Sequence, residues 1–143
     1  MAASWSLRHA TKADRDFLYA LHVRALRDYV EATWGWDEEF QRQHFDDRFD
    51  PATLQIIQVN GEDVGMLRVR NRADDLFLVS IQVDPDWQGR GIGSSIIQDL
   101  IGKAGTKPVT LAVLKANPRA FALYQRHGFA VVDETDTHFW MCT

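Results

Sequence analysis

The sequence predicts an α+β fold, and three observations support that prediction. Two apolar runs flank Asn60-Gly61, a residue pair typical of the two-residue turn of a β-hairpin. The run Leu76–Val83 is apolar on both faces for most of its length, which indicates a central strand covered on both sides. Segment 94–104 repeats its apolar residues at helical spacing. The chain therefore combines a β-rich centre with helices.

The first half of the chain is predicted to contain two helices and three strands. Thr11 suits the N-cap of the first helix, and Trp34-Gly35-Trp36 separates that helix from the second. In chain order, the predicted elements are a strand over 5–8, a helix from Thr11 to about Glu31, a polar helix from an Asp37 N-cap to Phe45 or Phe49, and strands over 54–59 and 64–69.

The second half is predicted to place a helix after each of two strands. Asn117 stands at an N-cap position with Pro118 behind it, and Gly128-Phe129 fits a Schellman ending. In chain order, the predicted elements are the strand Leu76–Val83, helix 94–104, strand 109–114, a helix from Asn117 to about His127, and strands over 130–132 and 138–141. The length of 143 residues predicts one domain over 1–143.

The composition argues against several classes of protein. The formal net charge is −4 and no run is rich in lysine or arginine, so we expect neither a nucleic-acid nor a membrane partner. No apolar run approaches the length of a membrane span, and the N-terminus lacks the pattern of a signal peptide. The single cysteine, Cys142, excludes an internal disulfide, which favours a cytoplasmic protein. No metal-ligand motif is present, so we expect no metal.

The segment Gln88-Gly89-Arg90-Gly91-Ile92-Gly93 lies between a predicted strand and a predicted helix. Glycines allow the backbone to approach a ligand closely, and the first turn of a helix presents unpaired N–H groups with partial positive charge. This combination indicates a site for a phosphate or pyrophosphate. The spacing matches neither the dinucleotide motif G-x-G-x-x-G nor the P-loop.

Two blocks of the sequence resemble the GCN5-related N-acetyltransferase (GNAT) superfamily. The first is Val83-Asp84-Pro85 leading into Gln88–Gly93. The second is a strand with Leu111 and Val113, followed by Asn117, Ala120, Leu123-Tyr124 and Gly128-Phe129. The blocks cover Leu76–Phe129 closely, and the first 75 residues match in element order alone. The resemblance implies a mixed, mostly antiparallel sheet of six to seven strands with about four helices, splayed between strands 4 and 5.

The resemblance also implies that acetyl-CoA lies in the splayed sheet. The backbone of three strand residues would pair with the pantetheine arm of the cofactor, and the loop N–H groups would hold its pyrophosphate. Tyr124 would reach the sulfur. The implied cofactor-binding residues are Ile81, Gln82, Val83, Gln88, Gly89, Arg90, Gly91, Ile92, Gly93, Ser94, Asn117 and Tyr124.

Acetyl transfer to an amine needs an acid for the leaving thiolate. A tyrosine hydroxyl, with a pKa of ~10, is protonated at neutral pH and can donate a hydrogen bond or a proton. We expect Tyr124 to be this general acid, as the equivalent tyrosine is in many members of the superfamily. The competing interpretation is that Tyr124 is a packed helix aromatic.

The general base is harder to assign from the sequence. The positions where some members carry a carboxylate or histidine are occupied here by Phe77, Val79 and Ala112. At pH 7 a lysine-type amine is neutral in roughly one molecule in 2500, but an α-amine in roughly one in seven. A low-pKa amine therefore suits such a site, unless a base comes from elsewhere.

His138 is the candidate for that base or for a proton relay, because the last hairpin borders the acceptor site in the superfamily. Its neighbours Glu134 and Asp136, and Asp37 and Glu38 after the first helix, are further candidates. An exposed turn of ordinary polar residues explains the hairpin equally well.

The loop between the first two helices often shapes the acceptor pocket in this superfamily. Trp34 and Trp36 in that loop, with Tyr29 before it, are candidate substrate contacts for a cationic or aromatic acceptor. His22, on the apolar side of the first helix, is interpreted as a core or semi-buried histidine, and His44 with its neighbouring aspartates has no metal-ligand spacing.

Three functions stay open at this point. The first is an acetyl-CoA-dependent N-acetyltransferase acting on a small-molecule or peptide amine by direct attack in a ternary complex, with a homodimer as one possible assembly. The second is a non-catalytic acyl-CoA-binding sensor or interaction module, which the apolar residues at the usual base positions favour. The third is a nucleotide-phosphate site in an unrelated α/β domain.

Overall fold

The computed structural model describes residues 4–143, which form four α-helices and seven β-strands in one mixed sheet. The helices are α1 Arg15–Trp34, α2 Glu38–Arg48, α3 Ile92–Ala104 and α4 Pro118–Arg126. The strands are β1 Ser6–His9, β2 Gln55–Val59, β3 Glu62–Asn71, β4 Leu76–Val83, β5 Val109–Leu114, β6 Ala130–Glu134 and β7 His138–Cys142. The predicted α+β class is confirmed.

The sheet has the strand order β1-β2-β3-β4-β5-β7-β6. The pairs β1–β2, β2–β3, β5–β7 and β6–β7 are antiparallel, and β4–β5 is parallel. This confirms the predicted mixed and mostly antiparallel sheet. The parallel pairing joins Leu76–Leu78 to residues 109–111 and thus involves the first three residues of β4.

Strand β4 departs from one prediction. Leu76 and Leu78 are buried, but all the residues from Val79 to Val83 are half-buried. The predicted central place is confirmed, because β4 is the fourth of seven strands, but coverage is complete only at Leu76 and Leu78. An apolar pattern shows that a strand can be covered, but what covers it depends on distant segments.

The chain divides into two compact units. The first comprises the described chain up to Arg68 together with Ser80–Ile92, and the second comprises Val69–Val79 together with Gly93–Thr143. The divisions fall within β3 and β4 and at the start of α3. The single domain predicted over 1–143 stays a prediction.

The first unit has an apolar core between its helices and strands. Six buried residues form a cluster against which three phenylalanines pack: Ala10, Leu18, Leu21, Leu54, Ile56 and Met66, with Phe17, Phe45 and Phe49. Beside this cluster, buried Asp14 accepts two hydrogen bonds from Arg8, at 2.8 and 2.9 Å. The arginine holds the pKa of Asp14 at about 2, below its usual range.

Gly65 on β3 marks a close approach of two strands in the first unit. A Cβ at this position would lie 2.4 Å from the carbonyl oxygen of Gln82 and 3.3 Å from the Cα of Val83. No side chain fits that space, because real Cβ atoms do not come so near backbone oxygen. Gly65 therefore allows β3 to support the backbone of the second half of β4.

The structure confirms the predicted hairpin turn and helix caps, each of which depends on a few neighbouring residues. Asn60 and Gly61 have φ of 53° and 79°, as a type I′ turn requires. The Asn117 side chain accepts a hydrogen bond from the Ala120 N–H at 3.1 Å. The Schellman ending of α4 is confirmed by Gly128, with φ of 89°, and by hydrogen bonds from residues 128 and 129 to the carbonyls of 125 and 124.

Element boundaries shifted by one to four residues. Helix α1 ends at Trp34 instead of about Glu31, and α3 begins at Ile92 instead of Ser94. Strand β3 is longer than the predicted 64–69 and β6 is longer than 130–132, because backbone pairing continues through polar residues that carry no apolar signal.

Candidate active site

The glycine loop has the backbone conformation that its composition predicts. Gly89 and Gly91 have φ of 76° and 81°, a region that other residues rarely adopt. Residues 89–91 are exposed, and α3 begins directly behind them at Ile92. The first-turn N–H groups of an α-helix have no partner within the helix, so this segment can bind an anion.

Polar contacts within the first unit fix the path of the chain into this loop. The Gln88 amide donates to the carbonyl oxygen of Val83 at 2.9 Å, which ties the loop to the end of β4. Arg24 on α1 donates to Asp84 at 2.7 Å and to Asp86 at 3.1 Å. The Arg90 guanidinium lies 4.5 Å from the ring centroid of Trp87. These side-chain contacts therefore hold the loop in place within the first unit.

The second unit holds Asn117 and Tyr124 at the two ends of α4. The side-chain oxygen of Asn117 caps the helix, a bond that leaves its NH₂ group available for another acceptor. Tyr124 is buried, with 8% of its surface exposed, and its ring lies 5.6 Å from that of Phe129. Burial raises the pKa of Tyr124 to about 12. Its hydroxyl therefore stays protonated at neutral pH.

His138 opens β7 opposite Leu114 of β5. Its Nδ1 lies 2.8 Å from the Thr137 hydroxyl, and its backbone exchanges hydrogen bonds with Thr135 across the hairpin turn. Of the other hairpin candidates, Glu134 accepts from Lys115 at 2.6 Å and is thus engaged in an ion pair.

The aromatic residues of the α1–α2 loop have partners within the chain. The Trp36 indole N–H donates to Glu38 at 2.8 Å, and the Arg27 guanidinium lies 5.2 Å from a Trp36 ring centroid. Trp34 is 60% exposed and Tyr29 is half-buried. The Trp36 ring, predicted to contact a cationic acceptor, therefore already contacts the cationic side chain of Arg27.

A pocket of about 190 Å³ lies in the first unit, between the helices α1 and α2 and the strands β3 and β4. Its lining has an apolar part and a polar part. The apolar part is Leu18, Phe45, Phe49, Leu54 and Met66, and the polar part is His22, His44, Arg48, Arg68, Ser80 and Gln82. Tyr29, Trp34 and Trp36 are absent from this lining within the described chain.

His22 links the pocket to the aromatic residues around it. Its Nε2 lies 3.5 Å from Gln41 Oε1, and its ring centroid lies 6.1 Å from that of Trp36 and 6.0 Å from that of Phe45. Burial lowers the pKa of His22, which the Gln41 contact offsets in part. The imidazole is therefore neutral at pH 7 and able to accept a proton.

The comparison with known families decides the identity of the chain. The model of the "Acetyltransferase (GNAT) family" matches residues 16–129, well over half of the chain. The chain belongs to the GNAT family. The resemblance seen in the glycine loop and the Asn117–Phe129 block is thus confirmed.

Curated relatives of this GNAT chain include enzymes with different acceptors. It is 33% identical over 146 residues to the mycothiol acetyltransferase of Clavibacter sepedonicus, covering 93% of this chain and 46% of that protein. It is 31% identical over 97 residues to the ribosomal protein bS18-alanine N-acetyltransferase of Escherichia coli K12, covering 66% of this chain and 64% of that protein. The chain spans about half the length of the mycothiol acetyltransferases it matches.

Solved structures confirm the GNAT fold. The PaiA N-acetyltransferase of Thermoplasma acidophilum, solved in complex with coenzyme A, matches with a TM-score of 0.76 and 17% identity, covering 98% of both chains. An acetyltransferase of Thermus thermophilus matches with a TM-score of 0.75 and 22% identity, covering 100% of this chain and 99% of that one.

Two kinds of feature are absent from residues 4–143. These residues contain no group of three or more histidine, cysteine, aspartate or glutamate side chains placed to hold a metal ion. None of their helices combines the length and the apolar character needed to cross a membrane.

Sequence reasoning missed the pocket and, with it, the position of His22 in this GNAT chain. The semi-buried state of His22 was predicted and is confirmed. Its place on a cavity wall depends on Phe45 and Gln41 of α2, which no pattern within α1 reveals. The one signal in the sequence was a histidine among the apolar residues of α1, and such a histidine is more often packed in the core than placed in a binding site.

Proposed function

We propose that this protein transfers an acetyl group from acetyl-CoA to a primary amine of a small molecule or peptide by direct attack in a ternary complex. The observation that supports it most strongly is GNAT family membership over residues 16–129, together with a glycine loop in the required conformation. The named relatives act on a small molecule and on a ribosomal protein, so both kinds of acceptor suit the family.

In this proposal the donor site uses the residues implied by the family resemblance. The backbone of Ile81, Gln82 and Val83 pairs with the pantetheine arm, and the N–H groups from Gly89 to Ser94 bind the pyrophosphate. Two observations support this assignment. Residues 81–83 lie beyond the part of β4 that pairs with β5, and the Gln88 side chain fixes the loop to Val83. Arg90, Gly91, Ile92, Gly93 and Asn117 complete the proposed contacts.

Tyr124 is the proposed acid. Because its pKa is about 12, full proton transfer to a thiolate of ordinary thiol pKa, ~8.5, is uphill by about 3.5 pKa units. The hydroxyl therefore acts mainly as a hydrogen-bond donor that stabilises the developing charge on sulfur.

The acceptor site of the proposal is the pocket in the first unit. Its wall includes Ser80 and Gln82 of β4, the strand assigned to the pantetheine arm. His22 lies on the same wall and is neutral at pH 7, so we propose His22 as the base that takes the amine proton. His138, beside the Thr137 hydroxyl, is the second candidate as base or relay.

The decisive experiment is a thiol-release screen with acetyl-CoA and a diverse panel of amines, combined with calorimetry of CoA binding. We expect CoA binding, thiol release with a subset of amines, and acetylated product by mass spectrometry. Tight CoA binding without thiol release across the panel would instead identify a non-catalytic acyl-CoA sensor. Stabilisation by ATP or NAD but not by CoA would contradict both functions.

The pH dependence separates the two candidate bases. For one acceptor, the wild-type kcat profile should include an acid limb from His22 below about pH 6.5, because its lowered pKa keeps the imidazole unprotonated above that value. His22→Gln should lower kcat by roughly 100-fold and remove this limb. His138→Gln, the matched comparison, should keep the limb. The opposite pattern would assign the proton to His138. The ionisation of the amine itself is common to both variants.

Further parts of the proposal concern the context of the protein. We propose that residues 1–143 act as one domain, that the protein works in the cytoplasm, and that it forms a homodimer. The single cysteine supports the cytoplasmic location. Cell fractionation tests the location and analytical ultracentrifugation tests the dimer. A monomer at micromolar concentration would contradict the last point.

A further inference from the structure

The formal charges on the pocket wall are those of two arginines. Arg48 and Arg68 contribute guanidinium groups and His22 and His44 contribute imidazoles, whereas no aspartate or glutamate is among the described lining residues. Arg48 Nε donates to His44 Nε2 at 3.0 Å, which places these two side chains side by side on α2. The wall is thus rich in donors for an anionic ligand.

The carboxylates near the pocket are engaged elsewhere. On α2, Asp46 pairs with Arg15 at 2.6 Å, Asp47 accepts from Gln43 at 2.8 Å, and Glu38 binds Arg42 at 3.1 Å. Asp46 and Glu38 are thereby paired with arginines, and Asp47 is hydrogen-bonded to an amide. No carboxylate of α2 is among the described lining residues, so the formal charges that face the pocket are the two guanidinium groups.

The rest of the lining determines what else the ligand carries. Phe45 and Phe49 stack with centroids 5.9 Å apart beside Leu18, Leu54 and Met66. The volume of about 190 Å³ lies below the roughly 300–1,000 Å³ of typical ligand pockets. This space fits a small organic molecule with one short apolar part.

We propose that the acceptor is a small amine that also carries an anionic group, a carboxylate or a phosphate, bound by Arg48 and Arg68. This inference rests on the proposed function, because it assigns the acceptor of the same reaction. The guanidinium groups bind the anion, the phenylalanines contact the apolar part, and the amine faces His22. The amine nitrogen attacks the thioester carbon and forms the C–N bond, the C–S bond breaks and its electron pair leaves on the CoA thiolate beside the Tyr124 hydroxyl, and the proton lost by nitrogen passes to the base.

The same charges disfavour other acceptors. A polyamine or an aminoglycoside brings several ammonium groups to a wall of two guanidiniums, and like charges in a partly buried site repel. The aromatic residues proposed from sequence as a binding site for a cation do not compensate, because Arg27 already lies against Trp36.

The test compares acceptors that differ only in the anionic group. Each amino acid of a panel is assayed beside its carboxamide, and each amino alcohol beside its phosphate ester, by thiol release at pH 7.5. We expect kcat/KM to be at least about tenfold higher for one anionic series, because a charge-assisted hydrogen bond is lost in the neutral partner. The carboxamide has the less basic amine, so intrinsic reactivity favours the neutral compound and works against the expectation.

Variants then tie the preference to the pocket. Arg48→Gln should lower the anionic-to-neutral ratio of kcat/KM about tenfold. Arg48→Lys should recover part of the ratio. Arg48 is exposed, so folding is not at risk, whereas Arg68→Gln needs a melting curve beside it. Arg70→Gln, an exposed arginine on the same strand as Arg68 with the same change in charge, should leave the ratio unchanged.

The outcomes separate this inference from the proposed function. Transfer to neutral amines at rates equal to or above those of the anionic series overturns the anion site and leaves the acetyltransferase intact. An anionic preference that survives both Arg48→Gln and Arg68→Gln also overturns it, because the anion then binds elsewhere. No thiol release with any compound, despite CoA binding, overturns the proposed function itself.

Discussion

Tyr124→Phe is expected to lower kcat for acetyl transfer by about 100-fold and to change the KM for acetyl-CoA less than about twofold. In the proposed mechanism the hydroxyl donates to the sulfur as charge develops, so its loss should affect the transition state more than binding of the donor. The measurement is steady-state thiol release, with CoA affinity determined separately by calorimetry.

The fold should tolerate this substitution. Tyr124 is buried, and phenylalanine keeps its ring packing against Phe129 while removing one buried polar atom. Tyr19→Phe, another buried tyrosine whose hydroxyl binds Glu38 at 3.0 Å, serves as the control and should keep kcat near the wild-type value. An unchanged kcat in Tyr124→Phe would show that the tyrosine only packs α4.

The raised pKa of Tyr124 adds a second readout. Since its pKa is about 12, the hydroxyl remains protonated through pH 10, and the kcat profile should show no basic limb from this group in that range. A basic limb near pH 10 that vanishes in Tyr124→Phe would show that the tyrosine titrates as an exposed phenol does.

Gly65→Ala is expected to destabilise the protein by about 3 kcal/mol, which corresponds to a fall in melting temperature of roughly 10 °C. Its Cβ would lie 2.4 Å from the Gln82 carbonyl oxygen and 3.1 Å from the Ile57 side chain. The neighbour that must move is strand backbone, which cannot shift alone. The measurement is thermal or urea unfolding followed by circular dichroism.

Gly102→Ala is the matched control for that substitution. It lies on the exposed face of α3, where a Cβ meets nothing within 4 Å, and alanine favours helix over glycine by about 0.5–1 kcal/mol. We expect Gly102→Ala to raise the melting temperature slightly. Equal stability of the two variants would contradict the close approach of β3 and β4. The close approach of β3 to β4 supports the backbone of residues 82 and 83. The folded fraction of Gly65→Ala should therefore also bind CoA more weakly.

The parts of the fold that sequence could predict are those in which a few neighbouring residues determine the backbone. The turn at Asn60-Gly61 has positive φ at both residues. The Asn117 side chain accepts from the N–H group three residues later and so caps the start of α4. The positive φ of Gly128 ends that helix. Each signal is complete within six residues, so no knowledge of the sheet was needed.

The parts that could not be predicted depend on residues far apart in the chain. The incomplete burial of β4 beyond Leu78 depends on which segments pack on its faces, and these are distant in the chain. The pocket joins His22 of α1, Arg48 of α2 and Ser80 of β4, which are separated by about thirty residues each. Periodicity identifies the buried face of one element, but not the gap that three elements leave between them.

The bridge from Arg24 to Asp84 and Asp86 joins the helix that carries His22 to the segment that leads into the glycine loop. The proposed donor and acceptor sites are therefore connected through one side chain, that of Arg24. Any effect of bound CoA on acceptor affinity must equal the reverse effect, as thermodynamic reciprocity requires. An exposed ion pair contributes at most about 1 kcal/mol, so this bridge limits the cooperativity it transmits to about fivefold.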